Sequence, residues 1–295
     1  MEWGEWQELP QFGLISPEVL REILDGGQSF RWEEADPNQR IWQGVFRDIV
    51  VQANLQPDNQ LKYRLPVGCD EHEAVRIYFG CERNWDLLTD QLPWRSDHEL
   101  KASIDAFPNL RILKQPLGET LFSFICSTAK QIPQIKQCCL NVSKRFGREL
   151  IPGVYSWPGW KTLASISEID LRDCKLGYRA KYISAIAQIL EKEEDLEQKV
   201  ETTDFNDAKK MLMDLPGVGE KVADCVLLFG AGKLEAFPVD TWILKAMKRI
   251  YNLKNWDPAK VAHFGRVHFG HNAGFAQQFL FARERMLSLR SPNKV

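Results

Sequence analysis

The stretch Asp214-Leu-Pro-Gly-Val-Gly-Glu-Lys-Val-Ala-Asp-Cys225 lies between two helical patterns and is followed by Phe237-Pro-Val-Asp240. Upstream of it, Asn206 or Asp207 is placed to cap a helix running through Ala208, Met211 and Leu212. Pro216 cannot continue that helix, and glycine at 217 and 219 reaches positive φ at little cost. From Glu220 to Phe229, Val222, Val226 and Phe229 return at helical spacing. The expected hairpin leaves unpaired the backbone N–H groups of Gly217, Gly219 and the start of the next helix, as far as Val222. A turn of that kind is an anion site, suited to a phosphate.

Two side chains near the turn could do chemistry. Lys221 falls in the first turn of the second helix, where the positive end of the helix dipole works against an ammonium and favours a nucleophilic amine. Cys225, four residues on, shares its face. Asp240 directly precedes the helical run from Thr241 and could face a developing positive charge. Blander roles exist for each: Lys221 could pair with Asp224 or Glu220 on a wet surface, and Asp240 is a good N-cap by residue type. A phosphate-gripping turn, an amine and a carboxylate in one constellation favour the chemical reading.

Leu215-Pro-Gly-Val-Gly-Glu-Lys-Val-Ala-Asp-Cys225 with Pro238-Val-Asp240 resembles the helix-hairpin-helix, glycine/proline-rich loop and aspartate signature of base-excision DNA glycosylases. The lysine within it marks their bifunctional members, and among these the chain is most similar to the 8-oxoguanine DNA glycosylase family. Gly27-Gln-Ser-Phe-Arg-Trp32, Leu121-Phe-Ser-Phe-Ile-Cys-Ser127, Leu176-Gly-Tyr-Arg-Ala-Lys-Tyr182 and Gly274-Phe-Ala-Gln277 with Leu280-Phe281 extend the match in family order. The resemblance implies that Lys221 attacks the sugar, that Asp240 supports it, and that the partner is double-stranded DNA containing a damaged purine. It implies no cofactor and no catalytic metal, with a monovalent cation on the backbone of Met213, Leu215 and Val218 as an option.

Composition agrees with such a protein. The 295 residues are 44% hydrophobic, enough for one large core or two modest ones. Seven cysteines without close even spacing, and no Cys-x-x-Cys, point to reduced thiols rather than a disulfide framework or zinc ribbon. The start Met1-Glu-Trp-Gly-Glu-Trp has neither basic nor apolar character, and no run reaches membrane-spanning length, so an intracellular monomer without membrane contact is expected. The net charge of −2 is uninformative, but it divides into −10 for residues 1–100 and +8 for the remainder, which suits a DNA-contacting second part.

Along the chain, Ser16 caps a helix with Pro17 in its first turn and Gly26 or Gly27 at its end. Strand-like pieces follow at Phe30-Arg-Trp, Ile41–Phe46 and Ile49–Ala53. From about Asp97 the pattern is helical, near 98–105, 118–127, 132–146, 162–168, 178–192, 206–213, 220–229, 241–251, 258–268 and 274–289. Glu191-Lys-Glu-Glu-Asp-Leu-Glu197 reads as a solvated acidic face. The expected fold is α+β: an antiparallel-sheet domain with helices over 1–103, then a mostly α-helical domain over 104–295 that holds the hairpin at 206–230.

The resemblance also assigns a base pocket. A base cannot be processed inside the stack and must be flipped out. Gly27, otherwise a helix terminator, would present a backbone carbonyl to N7: an acceptor in guanine, a hydrogen-bearing atom in 8-oxoguanine. Phe281 and Cys225 would sandwich the base, Gln277 would read its Watson–Crick edge, and Pro238 would line the same space; a core phenylalanine and a surface glutamine are the plain alternatives. Tyr178, unless packed on the core, would fill the gap in the duplex, and Arg179 would probe the orphaned base.

Three positions depart from the family. At Ala129, Gln134 and Trp242 it commonly has asparagine, arginine and a phosphate-binding histidine. The first two are probes of the cytosine opposite the lesion, so relaxed partner-base selectivity is expected. A monofunctional alkylpurine glycosylase using water and Asp240, or a noncatalytic helix-hairpin-helix DNA-binding module, remain the alternative functions.

Overall fold

The computed structural model describes residues 2–193 and 195–290; Met1, Glu194 of the acidic run and residues 291–295 lie outside the described residues. The chain opens with an edge strand β1 (Gln7–Glu8) and helix α1 (Pro17–Asp25). Ser16 caps α1 by accepting from the Val19 N–H at 3.3 Å, Pro17 sits in its first turn, and Gly26 ends it. Four strands follow: β2 (Trp32–Asp36), β3 (Ile41–Phe46), β4 (Ile49–Leu55) and β5 (Leu61–Arg64). They form one antiparallel sheet in the order β1-β5-β4-β3-β2.

The first long strand begins at Trp32 rather than Phe30. Phe30 turns instead into the core, edge-on to Phe124 at 5.4 Å, and Arg31 pairs with Glu119 at 3.1 Å. These long-range contacts outweigh the local preference for an extended run. Helices α2 (His72–Tyr78), α3 (Trp85–Gln91) and α4 (His98–Ala106) complete the N-terminal half. Only α4 has a clear signal in the sequence, because the other two are seven residues each, too short for a helical period to be read.

The second half is helical: α5 (Leu117–Cys126), α6 (Ile132–Phe146), a hairpin of β6 (Glu149–Ile151) and β7 (Val154–Tyr155), then α7 (Gly159–Ala164), α8 (Glu168–Leu171) and α9 (Arg179–Lys192). After these come α10 (Leu196–Thr202), α11 (Phe205–Met213), α12 (Glu220–Phe229), α13 (Thr241–Ile250), α14 (Pro258–Phe269) and α15 (Ala273–Arg290). The helix expected over 162–168 is two pieces, because Ser167 caps α8 afresh. Within the acidic run Leu196 turns inward and opens α10, so that segment is amphipathic rather than wholly solvated. Among the described residues no helix is long and apolar enough to cross a membrane.

Helix α5 is buried at every position and packs on α12, which is buried from Val222 to Phe229. Helix α15 returns across the molecule to lie on α4 and α13. The apolar core is one continuous cluster drawing on both halves.

Asp97 ties the halves together. Its carboxylate caps α4 through the Glu99 and Leu100 N–H groups, and its Oδ2 accepts from the Tyr251 hydroxyl at 2.6 Å and faces His268 Nε2 at 2.9 Å. Burial opposes its charge, yet the Tyr251 hydroxyl, the Leu100 N–H and His268 hold the carboxyl below its ordinary value. A depressed carboxyl stabilises the fold above its unfolded value, about 3.9, and loses that contribution as pH falls through the lower folded value. Tyr251→Phe should therefore cost about 1–2 kcal/mol at neutral pH. The gap from wild type should close in acid, as measured by urea unfolding at a series of pH values; a pH-independent gap would show that the hydroxyl acts through something other than Asp97.

Candidate active site at the hairpin

Helix α11 is capped by Asp204, whose carboxylate accepts from the Asn206 and Asp207 N–H groups at 2.9 and 3.3 Å. The cap thus lies before both candidates read from the sequence, and these two supply the N–H groups instead. The turn beyond α11 closes with the Val218 N–H donating to the Leu215 carbonyl at 3.2 Å. Gly217 has φ +79°, and a Cβ there would stand 2.5 Å from the Tyr182 ring, so glycine is required on two counts. Gly219, the N-cap of α12, is exposed and has open space around its Cβ position. Tyr182 in turn meets Tyr178 edge-on at 6.3 Å, and Tyr178 is 48% exposed. The hairpin and the projecting tyrosine are therefore one packed module, and Tyr178 is not a core residue.

Lys221 does not pair with its helix neighbours. Lys209 takes that place, 3.0 Å from Asp224 and 3.7 Å from Glu220. The Lys221 side chain crosses to the end of α5, where Nζ donates to Ser127 Oγ at 2.8 Å and lies 5.2 Å from the Phe124 ring centre. The Ser127 hydroxyl spends its own hydrogen on the Phe124 carbonyl at 2.7 Å, so a lone pair faces the amine. Asp240 caps α13, accepting from the Ile243 N–H at 2.8 Å. Burial pushes its carboxyl upward, against the Ile243 N–H and the Lys221 charge. Asp240 is thus both a cap and a charge coupled to Lys221. The Cys225 thiol is fully enclosed, and burial pushes it up to about 12, which makes it a neutral wall.

The remaining pocket candidates come from opposite ends of the chain. Gly27 has φ +110°, and a Cβ on it would lie 3.3 Å from Ile132 and 3.9 Å from Phe281. One turn before Phe281, the Gln277 amide donates to the Pro238 carbonyl at 3.0 Å and accepts from Gln278 at 2.7 Å. The structure thereby brings Gly27 to Phe281, and Gln277 to Pro238 beside Asp240. An open cleft of about 720 Å³ lies elsewhere, between the β3–β4 turn and the starts of α5 and α10, and includes none of them.

The residues expected on the DNA face are less uniform. Ala129 is exposed with φ +53°, a left-handed conformation that asparagine tolerates better than alanine. Gln134 Oε1 accepts from the Gln131 N–H at 2.9 Å, which commits the side chain to the start of α6. Trp242, partly buried, lies 5.6 Å from Lys245 Nζ. Arg179 departs from expectation. It is 6% exposed, its guanidinium donates to the Thr128 and Leu176 carbonyls, and it stacks 4.4 Å from the Tyr178 ring centre. Two turn carbonyls and an aromatic face hold the guanidinium inward, so it does not extend outward. Ser127 was missed as a site residue by sequence reasoning; it closes a quoted motif, but only the approach of α5 to α12 reveals its role.

Residues 15–121 match the family described as the 8-oxoguanine DNA glycosylase N-terminal domain, and residues 122–266 match the HhH-GPD superfamily of base-excision DNA repair proteins. A probable N-glycosylase/DNA lyase of Methanothermobacter thermautotrophicus is 42% identical over 120 residues, which span 41% of this chain and only 38% of that relative. The Arabidopsis thaliana N-glycosylase/DNA lyase is 33% identical over 278 residues, 88% of this chain and 75% of that protein. The solved 8-oxoguanine glycosylase/lyase of Clostridium acetobutylicum, in complex with double-stranded DNA containing cytosine opposite 8-oxoguanine, superposes with a TM-score of 0.86 at 31% identity, covering 98% of this chain and all of that one.

The two hairpin glycines should separate stability from DNA affinity. Gly219→Ala places its methyl in open space where a phosphate would approach, so melting should be unchanged while affinity for an undamaged duplex falls about tenfold. Gly217→Ala should destabilise the protein by about 1–3 kcal/mol through overlap with Tyr182. Thermal melting and fluorescence anisotropy test this; equal affinity of Gly219→Ala and wild type would remove the turn from the DNA contact.

Proposed function

The chain belongs to the 8-oxoguanine glycosylase branch of the HhH-GPD base-excision family, and from that premise we propose that it excises 8-oxoguanine from duplex DNA and nicks the abasic strand. The observation that carries the mechanism is Lys221. Its amine lies partly buried between α5 and α12, hydrogen-bonded to a neutral hydroxyl, and among the described residues forms no ion pair with a carboxylate.

The Lys221 amine attacks the sugar C1′ as the bond to the base breaks, and the base leaves with that electron pair and takes up a proton. Asp240 offsets the positive charge that develops on the sugar, a preorganised contribution worth on the order of 10²–10³ in rate. Opening of the sugar ring gives an imine on Nζ. Loss of a C2′ proton then expels the 3′ phosphate, and water releases the lysine. Gly27 reads the hydrogen on N7, Phe281 and Cys225 hold the base faces, Gln277 meets its Watson–Crick edge beside Pro238, and Tyr178 fills the gap in the stack. Gly217, Gly219 and Val222 hold the phosphate backbone, with Trp242 next to it in the first turn of α13.

Further assignments accompany this reading. The protein acts as a monomer within the compartment that holds DNA, with the division of the chain placed at residue 103. The Leu215 carbonyl accepts one N–H, from Val218, which leaves a lone pair for a monovalent cation alongside the carbonyls of Met213 and Val218.

Borohydride reduction on lesion-containing duplex should trap a covalent adduct in wild type and none in Lys221→Gln. Base release without an adduct would move the assignment to a monofunctional glycosylase that uses water and Asp240; neither product, with duplex binding intact, would leave a noncatalytic module.

The partner base should be read weakly. Ala129 lacks a polar side chain, Gln134 is committed to α6, Lys130 donates to the Lys175 carbonyl at 3.3 Å, and Arg179 is folded inward. Each missing contact removes roughly 1–3 kcal/mol of discrimination. Single-turnover excision opposite cytosine, adenine, guanine and thymine should therefore differ by less than about 100-fold, at 1.4 kcal/mol per tenfold. A larger cytosine preference would mean that Arg179 or Lys130 swings out to restore the reading.

A further inference from the structure

Behind Gly27 lies a pair of charged residues that the reaction itself does not use. Arg285 Nη1 donates to both oxygens of Glu22 at 3.0 Å and to the Gly26 carbonyl at 2.6 Å. Along α15, Gln277, Phe281 and Arg285 are spaced four apart and lie on one face, and the Arg285 guanidinium sits 5.5 Å from the Phe281 ring centre. The Gly26 N–H donates to the Glu22 backbone carbonyl at 3.0 Å, and a Cβ on Gly26 would meet the Glu22 side chain at 2.6 Å. Both ends of the Gly26 residue are thus tied, the carbonyl end by α15.

Gly27 has no side chain to fix its own conformation, so the peptides that flank it must do so. The peptide before it is held by Arg285. On the far side, Gln28 is anchored one peptide further on: its carbonyl accepts from Gln115 at 2.7 Å, and its side chain bonds to the Arg111 carbonyl and the Leu113 N–H at 3.0 Å each. A carbonyl that distinguishes two bases by one hydrogen must be placed to within a fraction of an ångström. We propose that Arg285 and Glu22 form a clamp that positions the Gly27 carbonyl and thereby sets how efficiently 8-oxoguanine is recognised for excision. The inference rests on the reading of Gly27 as the lesion contact.

The clamp should respond to pH. Burial pushes the Glu22 carboxyl up to about 7, against the pull of Arg285, and Asp25 on the same helix adds to the rise. Asp25 itself pairs with Lys136 of α6 at 2.7 Å, so the groups facing Glu22 are Arg285 from α15 and Asp25, whose charge Lys136 offsets. The ion pair exists when Glu22 is ionised, above about 7, and is lost as pH falls through that value.

The test compares wild type, Arg285→Lys and Glu22→Gln on two duplexes, one carrying 8-oxoguanine and one a preformed abasic site. Nicking of the abasic site needs Lys221 and the DNA grip but no base in the pocket. Arg285→Lys should lose about 10–100-fold in single-turnover excision, the scale of an ångström-sized misplacement, while abasic nicking stays near wild type. In wild type the ratio of excision to nicking should fall as pH drops through about 7; in Glu22→Gln, which has no carboxyl to titrate at this position, that ratio should be flat. Equal losses in both reactions, or unchanged excision in both variants with a pH-dependent ratio retained in Glu22→Gln, would overturn the clamp. Wild type that nicks abasic DNA yet releases no 8-oxoguanine would instead overturn the assigned substrate, and the clamp with it.

Discussion

The packing of α12 against α5 is the contact on which the site depends. Both helices are buried almost throughout, so neither can shift without opening the core. Their crossing carries a lysine from the start of one helix to the serine at the end of the other. The amine consequently enters an environment of aromatic ring and hydroxyl rather than the carboxylates that flank it in sequence. The buried Asp224 faces Lys209 at 3.0 Å and Arg266 at 4.0 Å, so its charge is met by those two cations and not by Lys221.

The same packing also shapes the surface at the hairpin. The glycine turn that ends α11 sits directly under Tyr182, and Tyr182 supports Tyr178. The glycine turn and the projecting tyrosine are thus built on one patch of structure, which makes the spacing between them a property of the fold rather than of flexible side chains. The segment between α5 and α6 is built differently. Its loop keeps a left-handed residue at Ala129, while the polar groups nearby are turned to backbone carbonyls or to the start of α6.

Much of this was legible in the sequence, and particular residues show why. Pro216 and the glycines constrain backbone torsions within a few residues, so the hairpin follows from local chemistry. Apolar positions at helical spacing placed nearly every long helix of the second half. Where local signals were close to equal, tertiary contacts chose between them: Asp204 rather than its neighbours became the cap, Phe30 left the strand for Phe124, and Leu196 pulled an acidic run into an amphipathic helix. Short elements such as α2, α3 and β5 carried too few residues for a period to be read.

By itself the sequence determined the hairpin, the lysine and aspartate in their turns, the α+β order and the family to which these belong, because each depends on residues near one another in the chain. The tertiary structure decided which groups meet across it: Ser127 against Lys221, Phe281 and Arg285 against the glycine pair at 26–27, and Arg179 folded under Tyr178 rather than extended. Those outcomes depend on how whole helices pack and on which polar groups are left needing partners once they do. Burial and hydrogen-bond satisfaction are properties of the assembled core, and no short stretch of sequence contains them.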